Sequence, residues 1–332
     1  MPIANIFGND LFTMASLTDA VNALPFKPSR IGQMGLYQMS GVTTTSIIIE
    51  EKDGILALIS TQPRGGTNVF GRGNQRKGRS FLIPHIPLND RVMAEDVTNV
   101  RAFGSETALQ GVARVVNDRL ALMRQSHEVT LEYHRIGGIH GVILDADGST
   151  TIYNLFTEFG VTEVTVDFAL SSSVTDVRGR CLDVAVSIEK SLGAAAYDHI
   201  HCFCGLTWFK AFVNHTQVKV AYERWRDGVA LRNDPRKGFE FAGITFEVYR
   251  GTVSGVAFIN ASQARFFPVG VPNLFKTYFA PADFMETVNT VGIAMYAKQA
   301  PLEFNVGVKM HTQSNPLCMC TQPKVLVKGT TS

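Results

Sequence analysis

One long helical stripe constrains this chain more than any other feature. Apolar or small residues recur at Leu109, Val112, Ala113, Val116, Leu120, Met123 and Leu131. Spacings of three and four put them on one face of a helix. Val115, Leu122 and Val129 form a second stripe seven residues apart, so two faces are expected to be covered. Ser105 can cap the start, Glu106 suits the positive first turn, and Gly137-Gly138 reads as the stop. Residues 105–136 thus predict a helix of about thirty residues, roughly 45 Å at 1.5 Å each. Such a helix is expected to cross a flat structure from end to end as a spine. Leu109, Val112, Val116, Leu120 and Met123 are its expected packing residues.

The stretch before it reads as arms. Met1–Gly41 has patchy hydrophobicity broken at Pro25 and Pro28. One short helix is expected at Ser16–Ala23, capped by Ser16, with Leu17, Ala20 and Val21 on one face. Val42–Glu50 is dense in β-branched residues. Asp53-Gly54 then gives a turn and Ile55–Thr61 a second strand, a hairpin signal. Between Thr61 and Phe81 lies the acid-free segment Arg64–Arg79. It carries Arg64, Arg72, Arg76, Lys77 and Arg79 beside Gly65, Gly66, Gly71, Gly73 and Gly78. Such a segment cannot bury enough apolar surface to fold alone, so it reads as a mobile cationic tip. Phe81–Leu88 is extended, and Pro84 and Pro87 confine it to a sheet edge.

The second half alternates helix and strand. Gly141–Tyr153 reads strand, Asp-Gly turn, strand, and Val161–Leu170 is a further strand. Helices are expected near Asp176–Leu192 and Thr207–Val218, with strands near Asp198–Cys204, Ile244–Tyr249 and Gly255–Asn260. This predicts an α/β or α+β domain. Leu302–Val327 is strand-like.

Composition narrows the class. The 332 residues are 45% hydrophobic and 18% charged, which is a globular composition. A mean hydropathy of +0.07 is slightly high for a soluble monomer and leans towards apolar surface buried against partners. The formal net charge of +2 excludes a strong overall polyanion binder. No apolar run is long enough to span a membrane, and Met1–Phe12 has no signal-peptide pattern. Five cysteines without a disulfide-framework spacing suit a reducing cytoplasm.

Candidate chemistry is weak at every position. His199, His201, Cys202 and Cys204, with Cys318 and Cys320 as a second half, are the foremost metal candidates. Structural zinc sites usually space cysteines by two to four residues, and on a strand Cys202 and Cys204 share a face that His199 leaves. Core cysteines are the preferred reading. His127-Glu128 begins a zinc-helix motif, but Leu131 stands where the second histidine belongs, and His134 is a turn away. In the basic segment Arg76 precedes Lys77 and Gly78 follows it, so the phosphate-loop pattern fails. Asp145 and Asp147-Gly148 lack the remaining acids of a calcium loop, and Ser254 lacks the spacing of a nucleophile elbow. No catalytic, metal or cofactor residue is assigned. Nucleic-acid binding through residues 64–79 stays open, with only Phe70 available for stacking.

Longer stretches carry a resemblance. VTTTSIIIEEKDGILALI, RSFLIPHIP, VRAFGSE, TLEYHRIGGIHGVILDADGS, NLFTEFGV, FKTYFAPADFMETVNTVG and TQSNPLCMCTQP, in this order, resemble the major capsid protein E family of tailed phages (lambda head protein-like). The resemblance covers nearly the whole chain and implies the α+β Hong Kong 97-type capsid fold. It implies an N-terminal arm at 1–41 and an extended loop at 42–95 with its basic tip at 64–79. A peripheral domain at 96–170 with the spine, an axial domain at 171–281 and returning C-terminal strands at 282–332 complete it. It implies a non-enzymatic structural protein of the virion, assembled in the host cytoplasm as hexamers and pentamers of an icosahedral head around the genome. Arg64, Arg72, Arg76, Lys77 and Arg79 would then contact a neighbouring subunit. Scaffold, portal and decoration proteins are implied partners, with weak nonspecific contact to double-stranded DNA. Some relatives cross-link this loop through a lysine and an asparagine. Neither Lys52 nor Lys77 sits in a matching motif, so no cross-link is carried over. An encapsulin-like compartment shell and a nucleic-acid-binding protein are the alternative readings.

Overall fold

A computed structural model describes residues 13–23, 30–52, 76–98, 108–193, 195–227, 238–253 and 255–331. In chain order the first elements are α1 (Met14–Ala23), α2 (Arg30–Met34), β1 (Gln38–Gly41), β2 (Ser46–Lys52), β3 (Arg76–Leu82), β4 (Ile86–Met93), α3 (Ala94–Thr98) and α4 (Ala108–His140). There follow β5 (Val142–Leu144), β6 (Thr151–Asn154), α5 (Leu155–Phe159), β7 (Val164–Asp167), α6 (Val177–Leu192), β8 (His199–Cys204), α7 (Leu206–Asn214) and α8 (Thr216–Asp227). Strands β9 (Phe239–Phe241), β10 (Ile244–Val248), β11 (Thr252–Val253), β12 (Val256–Ala257), β13 (Ala264–Val269), β14 (Phe275–Phe279), β15 (Tyr296–Pro301), β16 (Gly307–Ser314), β17 (Pro316–Cys320) and β18 (Val327–Thr330) complete it. The chain forms two compact units, one from residues 1–47, 82–135 and 276–318, the other from 48–81, 136–275 and 319–332.

In the first unit, antiparallel β15-β16-β4 makes a three-stranded sheet with β4 at its edge, where Pro87 lies opposite Gln313. Val92, Ala297 and Met310 alternate onto one face and pack with Leu17 and Val21 of α1 and Val116, Leu120 and Met123 of α4. Helix α1 is one turn further N-terminal than Ser16, because Thr13 does the capping: its Oγ1 accepts from the Ser16 amide at 3.3 Å. Thr18 Oγ1 donates to the Ala297 carbonyl (3.2 Å) and accepts from the Ala297 amide (3.1 Å). The helix is thereby tied to an open strand edge. β1 runs parallel to β14, Gln38 opposite Lys276 through Gly41 opposite Phe279.

The second unit is built on a six-stranded sheet in the order β7-β18-β13-β8-β10-β9. One face carries Cys202, Phe246 and Phe266 in a single cross-strand row. Against it lie Trp208 and Phe212 of α7 and Phe168, all fully buried. Ring centroids are 5.1 Å apart for Trp208–Phe212, 4.3 Å for Phe212–Phe246 and 5.2 Å for Phe168–Trp208.

Three expectations need correction. Helix α4 does not stop at Gly137-Gly138 but runs to His140. A Cβ on Gly137 would sit 3.0 Å from Ile143 Cα, so this glycine lets β5 press against the last helical turn. The reversal comes at Gly141, with φ +75°. The expected helix Thr207–Val218 is two helices, broken at His215 (φ −63°, ψ 138°). The His215 Nε2 bonds the Ser172 carbonyl oxygen at 3.0 Å, and its own carbonyl accepts the first amides of α8. Finally, Gly255–Asn260 provides only the short strand β12, paired with β11.

Candidate functional site

Strands β2 and β3, which flank the expected extended loop, are described. β2 pairs with β3, so its partner includes the end of the basic stretch. The expected partner, Ile55–Thr61, lies outside the described residues, as do Arg64 and Arg72. Arg76, Lys77 and Arg79 stand on strand β3 rather than on a free tip, because backbone pairing to β2 orders them. The side chains of Arg76 and Lys77 are outside the description. Arg79 is half-buried. Its Nη2 donates to the Phe159 carbonyl at 3.0 Å, and its guanidinium lies 5.1 Å from the Phe159 ring centre. Phe81 stacks on the same ring at 5.8 Å and meets Tyr153 edge-on at 5.5 Å. Strand β3 is thus clamped by an aromatic group with one cation above it. Arg79→Ala is expected to cost about 1–2 kcal/mol in urea unfolding, from the lost hydrogen bond and cation–π contact. An unchanged midpoint would contradict the clamp.

Among the spine residues, Val116, Leu120 and Met123 are buried, while the side chains of Leu109 and Val112 are outside the description. The second stripe divides: Val115 packs on the core and Leu122 is exposed. Below the stripe, the Glu132 carboxylate accepts from the Ile31 amide at 2.8 Å, and Tyr37 Oη donates to the Arg135 carbonyl at 2.5 Å. These bonds hold α2 and the segment leading to β1 against the helix.

The metal candidates are engaged elsewhere. Cys202 and Cys204 are buried in β8 with their sulfurs 3.5 Å apart, and burial pushes the Cys202 thiol well above its ordinary pKa. Burial likewise raises Cys318 to about 11 and Cys320 to about 12. Thiols held protonated this way are poor ligands and poor nucleophiles. His201 takes the opposite face, 3.3 Å from the Glu247 carboxylate and edge-on to Phe203. On α4, His127 Nε2 bonds Thr312 Oγ1 at 3.0 Å and Glu128 pairs with Arg124 at 2.7 Å. Among the described residues no group of three or more His, Cys, Asp or Glu converges on a metal position. Asp147 closes a turn, its carboxylate accepting from Ser149 and Thr150, chiefly the Thr150 hydroxyl, which holds its pKa below the usual carboxylate range. No helix among the described residues is long and apolar enough to cross a membrane.

What the surface does offer is apolar area. Met285, Val288, Val291 and Ile293 are exposed along one connecting segment, and Phe304 is exposed at the turn between β15 and β16. Sequence patterning missed this turn because it holds neither glycine nor proline before Gly307.

Known proteins agree. The sequence matches the family of phage major capsid protein E over residues 13–331. It is 26% identical to the major capsid protein of Pseudomonas phage KPP10, covering 99% of both chains. It is 22% identical to that of Salmonella phage Felix O1, covering 95% of each. Its fold is similar to the proposed capsid protein of an E. coli CFT073 prophage, with a TM-score of 0.59 at 13% identity, covering 97% of this chain and 99% of the other. The architecture is the Hong Kong 97-type capsid fold. The chain therefore belongs to the phage major capsid protein E family, a structural protein of the virion head that works as many copies of itself.

Proposed function

We propose that the chain assembles into hexamers and pentamers that close an icosahedral head around double-stranded DNA, with no catalytic role of its own. The observation that carries this reading is the family match across almost the entire chain. The partition into an arm (1–41), an extended loop (42–95), a peripheral region (96–170), an axial domain (171–281) and C-terminal strands (282–332) belongs to the same proposal. Arg64, Arg72, Arg76, Lys77 and Arg79 meet acidic groups of a neighbouring copy, while the conformational freedom of the glycines among them lets the loop conform to it. The spine residues, Leu109 and Val112 included, keep the peripheral region rigid. Scaffold, portal and decoration proteins are the proposed partners. A net charge of +2 suits a lining that touches DNA only weakly.

The compartment-shell alternative differs in contents, and the nucleic-acid-binding alternative differs in oligomeric state. Expression with its scaffold should give capsomers, shells or tubes that sediment as large particles. A chain that stays monomeric at every concentration, with scaffold present, would sink the proposal.

A further inference from the structure

Phe304 is the most exposed large apolar residue among the described residues, at 95%. It also sits in the left-handed region (φ 58°, ψ 15°), followed by Asn305 at φ 55°. Left-handed backbone is the place of Gly or Asn, and a bulky residue there is an outlier. A turn with a purely local role would hold a smaller residue. Here the hairpin holds a phenyl ring out in water by a strained backbone, a combination found at contact sites.

The same unit contains a receptor of suitable chemistry. A cavity of about 330 Å³ is lined by Met39, Leu131 and Phe279, with Arg124, Arg135 and Glu128 among its polar members. Met39 is 66% exposed, which leaves the cavity approachable. The tip reads Leu302-Glu303-Phe304-Asn305, an acid next to the ring. In the cavity Arg124 is paired with Glu128 and Arg135 is largely buried, which leaves the lining with one net positive charge. Ring matches apolar lining, and charge matches charge.

We propose that Phe304 of one copy seats in this cavity on another copy, with Glu303 against its net positive lining. The inference rests on the reading of the chain as a self-assembling head protein and names one contact that assembly uses. Knob and hole lie on one chain without filling each other, so the contact is between copies. Repeated head-to-tail it closes into a ring when the rotation permits, and paired reciprocally it joins two copies across a twofold axis. Aromatic anchors in desolvated pockets carry a large share of interface energy.

The test uses the variant Phe304→Cys/Met39→Cys in assembled particles. The five native cysteines are all buried, so a short bis-maleimide reaches only the introduced pair. The expected result is a ladder of linked subunits from the double variant and monomer from either single variant. Linkage from Phe304→Cys alone would mean tip-to-tip contact and would overturn the proposal, as would particles without linkage. Should the double variant not assemble, Phe304→Trp gives a second readout at an exposed position that folding does not use. Its added emission is expected to shift to the blue between dissociated subunits and particles; an unshifted spectrum overturns the contact. Phe304→Ser is expected to leave the subunit folded and lower particle yield at limiting concentration on the order of tenfold. Failure of the unaltered chain to form particles would instead count against the assembly reading itself.

Discussion

Trp208→Ala is expected to cost about 3–5 kcal/mol and to unfold the second unit under mild conditions. Trp208 is fully buried and touches the rings of Phe168, Phe212, Phe246 and Phe266. Those neighbours come from β10, β13, α7 and the segment after β7, so truncation opens a cavity that no single element can collapse to fill. The indole N–H has no hydrogen-bond partner among the described residues. Trp208→Phe therefore removes a buried donor as well as volume, and is expected to cost far less than Ala. Urea unfolding at fixed protein concentration separates the two, since association itself stabilises the folded chain. Equal, small losses for both variants would show that the aromatic cluster is not the core of this unit.

Acid is the second large lever. His127 is held down to about 4 by burial, with a further push from His311. His140 lies well below its ordinary range through burial and then the charges of Arg265 and Lys328. Both are neutral in the folded chain, whereas unfolded histidine binds its proton near 6.5. The unfolded state thus takes up more protons, so stability is full above about pH 6.5 and falls towards pH 4. For His127 alone that window corresponds to about 3 kcal/mol at 1.36 kcal/mol per unit. Urea midpoints at pH 7.5 and 4.5 should drop in the parent and drop less in His127→Gln. Identical drops in both would remove His127 as a source of the acid loss.

Local periodicity made the spine legible, because a buried helix face repeats wherever it packs. Val116, Leu120 and Met123 stand in the stripe and in the core. The same local logic failed at Gly137-Gly138, where the helix continues and Gly137 serves close packing with Ile143. It failed again at His215, where a bond to Ser172, 43 residues away, breaks what reads as one helix. Strand order in the six-stranded sheet was never legible, since β8 pairs with β10 and β13 through distant parts of the chain. At the loop, charge and glycine content marked residues 64–79, but nothing local signalled that Arg79 would settle on Phe159. Phe304 escaped notice because Leu302–Val327 reads as strand-like, and a phenylalanine in left-handed backbone gives no local turn signal.

A cryo-electron microscopy reconstruction of particles formed by this chain and its scaffold tests the central claim most directly. The expected result is a closed shell of fivefold and sixfold capsomers, each subunit carrying the spine helix and the six-stranded sheet, with residues 42–95 lying on a neighbouring copy. Homogeneous monomers, or particles in which every loop folds back on its own subunit, would contradict it.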